Sequence, residues 1–297
     1  MNALLSASKS LRRLRRGLAR LVSARTDPPV ATAGEAVPTW LVERDRDAAQ
    51  AVAANPPDYK RYHQSSAARW IDLSGKHVLV VGCNRGEDCA HFIDLGAASV
   101  VGLDVMDEIG RNYVHPAVSY LLASAERIPA ETGSFDLVFA YATLEHVPDI
   151  GAAFREMARV TAPGGVLYSA AAPLWCSRSG PHWGSAFNHD PWPHLRMDAD
   201  GVLALAALAQ AEGKESPYYE PGRLREFLTD PLLFNRRRAD EYLDACSTLD
   251  DIEIIANRIE VEQQAGFDPA MLRDLIAAGY STLDLFGLTH ILTARKQ

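Results

Sequence analysis

The chain has 297 residues, 47% hydrophobic and 23% charged, with a formal net charge of −8; it is long enough for one large domain with a full core, and no apolar run of about eighteen residues is available to span a membrane. The acidity is uneven, because residues 1–25 carry Lys9, Arg12, Arg13, Arg15, Arg16, Arg20 and Arg25 and no acid, leaving 23 basic against 38 acidic residues in the body. An acidic body argues against a broad nucleic-acid-binding face, since duplex affinity rests largely on phosphate neutralisation by Lys and Arg.

In chain order, Leu11, Leu14, Leu18, Leu21 and Val22 recur at helical spacing opposite Arg12, Arg13, Arg16 and Arg20. This predicts a basic amphipathic helix over residues 8–25. It is open to three uses: peripheral contact with an anionic membrane or a partner, a solvated extension, or an organelle-targeting segment. A linker rich in Pro and small residues follows to residue 39. Residues 40–75 lead into the body, with two helices expected over 40–72, broken at Asn55-Pro56-Pro57. Strands are then expected near 77–82, 99–104, 118–122, 135–141 and 165–171, with helices near 87–95, 107–113 and 149–161. That alternation predicts an α/β, doubly wound, parallel sheet over 76–171. Residues 172–250 break the rhythm with a segment rich in Trp, His and Pro, read as a substrate lid inserted between the fifth and sixth strands. Strands return at 251–261 and 285–294, around a helix near 268–278. Cys83, Cys89, Cys176 and Cys246 form no CxxC pair and no metal spacing; a reducing compartment is expected, and no metal.

The apolar run Lys76 to Val81 ends in Gly82-Cys83-Asn84-Arg85-Gly86, and about twenty residues later Ser99 to Leu103 ends in Asp104. A strand delivering its ligand to a glycine turn, with a ribose-binding acid at the next strand end, indicates a nucleotide-type cofactor. The dinucleotide pattern GxGxxG fails at Asn84 and Glu87. A GxGxG pattern needs positions 82, 84 and 86, and Asn84 substitutes tolerably because asparagine enters left-handed backbone conformations readily. At these residues the chain resembles the class I S-adenosylmethionine-dependent methyltransferase family. The resemblance is carried further by Ala125-Glu126-Arg127-Ile128-Pro129, by Ser134-Phe135-Asp136-Leu137-Val138-Phe139, by Leu144-Glu145-His146-Val147-Pro148-Asp149 and by Ala162-Pro163-Gly164-Gly165-Val166-Leu167, in order over residues 75–172. Two acids usual in the family are absent, with Val80 and Ser124 in their places.

The resemblance implies a Rossmann-like, mostly parallel seven-stranded sheet whose last strand is antiparallel, and S-adenosyl-L-methionine as cofactor. It places Gly82, Cys83, Asn84 and Gly86 along methionine and ribose, Asp104 on the ribose hydroxyls, Val105 beside adenine, Ala125 and Glu126 around the base, and Tyr141 near the methionine portion. Methyl transfer from a sulfonium needs positioning more than side-chain chemistry, and a base only for a hydroxyl or a protonated amine. His146, at the strand edge where such sheets bind ligands, and His182 and His189 in the lid are the base candidates. Trp175, Trp183 and Trp192 could stack an acceptor or pack the lid, and Asn235 to Arg238 could hold an anionic group or be helix surface. Asn188 to Leu195 is similar to methyltransferases that accompany glycan synthesis. The expectation is therefore a cytoplasmic O-methyltransferase of a small or carrier-linked saccharide, with a quinone or lipid methyltransferase and a non-catalytic binding module as alternatives.

Overall fold

The computed structural model describes residues 37–51, 58–178, 180–182, 190–213, 221–262 and 267–297. The predicted basic helix over 8–25, Trp183 and His189 lie outside the described residues. Eight strands, β1 (Ala49–Ala51), β2 (His77–Val81), β3 (Ser99–Asp104), β4 (Val118–Leu122), β5 (Phe135–Tyr141), β6 (Thr161–Ala171), β7 (Ile252–Val261) and β8 (Gly287–Lys296), form one sheet in the order β1-β7-β8-β6-β5-β2-β3-β4. Pairing is parallel throughout except that β8 runs antiparallel to β6 and β7. The seven expected strands are all present. The eighth is β1, which corrects the expectation of helix through residues 40–72: only α1 (Glu43–Arg46) and α2 (Tyr59–Ala68) are helical among the described residues there, and Ala49–Ala51 pairs with Ile259–Val261.

Alternation along β2 shows why the sheet is covered on both sides. Val78 and Val80 face one buried cluster with Val100, Leu137, Phe139, Tyr168 and Phe92 of α3 (Glu87–Asp94). Leu79 and Val81 face the other, with Val138, Leu167, and Phe154 and Met157 of α4 (Ile150–Val160). Strands buried on both faces read as continuous apolar runs, and truncating a core side chain such as Phe154 to Ala costs about 3–5 kcal/mol. The chain enters β6 directly at Thr161. Phe135 pairs with Thr161 and Leu137 with Val166, so Pro163-Gly164-Gly165 is accommodated as an irregularity within the strand.

The helix expected over 107–113 is instead a series of turns. Gly110 has φ +72°, and a Cβ there would lie 2.4 Å from the Tyr120 ring, so packing on Tyr120 selects a left-handed glycine and interrupts the helix.

Beyond β6, α5 (Pro193–Arg196), α6 (Ala199–Ala211) and α7 (Pro221–Thr229) build a side layer, whose core is Val202, Leu205, Ala206, Ala209 and Leu224. The next helix, α8 (Ala239–Ser247), belongs to the sheet instead: Tyr242 and Cys246 join the cluster around Phe154. The last two helices, α9 (Pro269–Ala277) and α10 (Thr282–Phe286), precede β8, and Leu285 and Phe286 of α10 pack on Trp192.

Candidate active site

A cavity of about 630 Å³ opens at the carboxyl ends of β2, β3 and β5, where open parallel sheets bind ligands. Gly82, Asn84, Asp104, Val105, Ala125 and Glu126 line it at one end. Thr143 lines it beside Gly82, and His146, His182, Phe227, Leu232 and Leu233 line the remainder.

The first end is set by backbone. Gly82 has φ +75°, and a Cβ on it would stand 2.0 Å from Thr143 Oγ1. Asn84 adopts φ 50°, as its side-chain type allows. Gly86, φ +101°, caps α3, and a Cβ there would meet the Tyr120 hydroxyl at 2.3 Å. The Asp104 carboxylate accepts from Asn84 N–H at 2.8 Å and Met106 N–H at 3.1 Å. It thus locks the glycine turn to the end of β3 while lining the cavity. Ser124 Oγ accepts from Glu126 N–H at 3.1 Å and donates to Glu126 Oε2 at 3.0 Å, and Glu126 Oε1 accepts from Asp149 N–H at 2.8 Å. Glu126 therefore joins the turn after β4 to the start of α4.

Three of the predicted cofactor residues lie apart from the lining, Gly86 at the cap of α3 being one. Cys83 buries its side chain in the core, leaving only its backbone to the turn. Tyr141 turns its ring onto His63, stacked at 5.2 Å between centroids, with Tyr59 at 6.4 Å; burial raises its pKa to about 12.

At the second end, Leu144–His146 forms a single 3₁₀ turn after β5. Asn235 Nδ2 donates to Leu144 O at 2.7 Å and Val147 O at 2.9 Å, and Asn235 N–H to Glu145 O at 3.0 Å. His146 Nδ1–H donates to Leu233 O, so the neutral ring keeps its lone pair on Nε2. Burial lowers the His146 pKa. His182, with φ 61°, stacks on His146 at 5.4 Å, and burial followed by the neighbouring His146 lowers its pKa to about 4. Phe234 lies under both rings, at 4.7 Å and 5.1 Å. Glu145 is 1% exposed, and burial pushes its carboxyl well above the usual range.

The remaining aromatic positions are mostly packing. Trp192 is fully buried and donates Nε1–H to Leu285 O at 2.9 Å. His194 Nε2–H donates to Trp175 O at 2.6 Å, and burial takes its pKa down to about 3. Asp190 pairs with Arg196, Arg236 lies over the Trp175 ring at 5.0 Å, and Arg237 pairs with Glu241. Sequence reasoning missed Thr143, Phe227, Leu232, Leu233 and the anchoring role of Asn235, since only tertiary packing brings residues 223–235 to the strand ends.

Residues 79–169 match a family model described as a methyltransferase domain. A ubiquinone biosynthesis O-methyltransferase from Xanthomonas oryzae pv. oryzae is 40% identical over 105 residues, 33% of this chain and 44% of that protein. The methyltransferase GfsG of Streptomyces halstedii is 36% identical over 106 residues, 33% of this chain and 38% of that protein. The chain thus spans less than half the length of these curated relatives. Among solved structures, an S-adenosylmethionine dependent methyltransferase from Mesorhizobium loti is 18% identical, covers 78% of this chain and 96% of its own, and has a TM-score of 0.47.

Proposed function

We propose that this chain, whose residues 79–169 belong to the methyltransferase-domain family, is an S-adenosylmethionine-dependent O-methyltransferase of a small or carrier-linked acceptor, a saccharide hydroxyl being favoured. The observation that carries this is the single cavity running from Asp104 and Ala125, past Thr143, to His146 and Phe227. Such a space accepts a nucleoside at one end and an acceptor at the other. Asp104 would take the ribose diol, Val105 and Ala125 would flank adenine, and the glycine turn would admit the methionine portion close to the backbone.

When bound, the sulfonium supplies an activated methyl group, and the acceptor oxygen displaces the thioether in line. The residues of the chain then position, desolvate and move one proton. His146 is the stronger base candidate, because its Nε2 lone pair is fixed by the Leu233 carbonyl, whereas His182, with its pKa lowered to about 4, is a weak proton acceptor. His189 remains the third candidate. Replacing the operative base should lower kcat about 10²- to 10⁴-fold with cofactor affinity intact.

A second reading, methylation of a quinone or lipid phenol, is favoured by the apolar acceptor end at Phe227, Leu232 and Leu233 and by the likeness to the Xanthomonas ubiquinone enzyme. Calorimetry should give one S-adenosylmethionine per chain. Release of S-adenosylhomocysteine with saccharide but not isoprenoid-phenol acceptors selects the first reading, and the reverse selects the second. Absence of cofactor binding would sink both and leave a non-catalytic module.

A further inference from the structure

We propose that Glu145, His146 and His182 form a binding site for a divalent transition-metal ion, zinc by ligand preference, at the acceptor end of the cavity. One ligand atom from each of the three lies within 4.8 Å of the others, and ligands at about 2.1 Å from a tetrahedral ion stand ~3.4 Å apart. A contraction of at most about 1.4 Å closes the set.

Three observations point to a cation. First, Glu145 is 1% exposed, and its carboxyl oxygens make no close hydrogen bond, with only its own and the Ala172 backbone N–H turned toward them; a buried acid so sparsely met leaves ligand positions open. Second, Glu145 Oε1 stands 3.8 Å from His146 Nε2. With Nδ1 committed as donor to Leu233 O, Nε2 presents a lone pair, so two acceptors face one another at a separation too long for a hydrogen bond and suited to an ion between them. Third, that same bond from Nδ1 to a backbone carbonyl is the outer contact that fixes the tautomer and orientation of metal-ligating histidines. Two imidazole nitrogens and one carboxylate suit zinc, iron, manganese or cobalt better than magnesium or calcium.

His146 and His182 line the cavity, so a fourth position on the ion would face an acceptor. With the ion in place Nε2 of His146 is a ligand and no longer a base; a hydroxyl bound to the ion becomes more acidic, and its proton passes to solvent as the oxygen takes the methyl group. This use of the ion rests on the methyltransferase reading; the site itself does not.

The test uses the full chain, stripped with chelator. Co²⁺ is added while visible absorption is followed, and Zn²⁺ then competes. We expect one equivalent of saturable Co²⁺ with ligand-field bands, displaced by Zn²⁺, and a rise in melting temperature. Glu145→Gln preserves the shape of a side chain that is already buried, and His182→Gln changes a loop position. With unchanged far-UV circular dichroism, each should weaken Co²⁺ binding at least a hundredfold, while the exposed control His77→Ala keeps wild-type affinity. Sub-stoichiometric binding, or affinity unchanged in both folded variants, overturns the site. S-adenosylmethionine calorimetry on the same samples separates the two claims: metal binding without cofactor binding sinks the methyltransferase reading alone, and cofactor binding without metal binding sinks the site alone.

Discussion

The donor end of the cavity holds its shape through the main chain: Gly82 and Asn84 in left-handed conformations, and one aspartate that accepts from two amides. The acceptor end is built from side chains of distant segments, with Phe234 under two histidines and Asn235 reaching back to Leu144 and Val147. A backbone site tolerates almost no change where a Cβ or a lone amide is at stake. A side-chain site can be retuned residue by residue. On the methyltransferase reading, that difference would let one donor be kept while acceptors vary.

The comparison breaks most readily at Gly82. Valine there would drive Cβ into Thr143 and strain a positive φ, and should cost S-adenosylmethionine affinity more than a thousandfold, about 4 kcal/mol. Normal titration of the folded variant would show that the turn does not hold the cofactor. Next comes Asp104→Ala, expected to weaken binding by about 1.5–3 kcal/mol, the range for hydrogen bonds to charged groups. Part of that loss comes from freeing Asn84 N–H, so Asp104→Asn should recover some of it.

Acid tests whether the two regions are held alike. Burial lowers His63, packed against Tyr141 and Tyr168, and His194, packed against Trp175, to about 3. In the unfolded chain both titrate near 6.5. Each therefore contributes stability that is complete above about pH 6.5 and is lost as pH falls toward 3. Between pH 7.5 and 5 the wild type should lose about 2 kcal/mol relative to either His63→Phe or His194→Phe. Denaturant curves at the two pH values measure this, and a pH-independent difference would mean the ring is not buried. The smallest effect is expected at Leu232, 70% exposed on the acceptor rim. Its replacement by Ala should leave stability and cofactor affinity within about 0.5 kcal/mol, while raising KM for an acceptor that stacks there.

The join of the glycine turn to Asp104 was legible in the sequence because its determinants form a compact pattern: a β-branched run, a glycine turn and an acid about twenty residues on. The seven main strands were legible for the same reason. Ala49-Gln50-Ala51 carries no strand pattern of its own and is recruited by β7. The 107–113 segment has helix-compatible residues, but Gly110 answers to Tyr120, ten positions later. His146 stood out beside a motif, whereas its partners Leu233 and Phe234 lie some ninety residues away, and nothing local marks its stacking with His182.

Strand β1, short as it is, has a consequence for how this protein behaves in solution. It lies along Ile259–Val261 at one margin of the sheet, and Trp40 and Asp45 secure the chain before it through Phe286 and Thr282. Without that three-residue cover, β7 would offer unsatisfied amides and carbonyls to any extended peptide, another copy included. Trimming the chain up to residue 36 leaves the guard in place, whereas trimming past residue 51 removes it. Self-association on such shortening would then arise from edge-to-edge strand pairing at this margin.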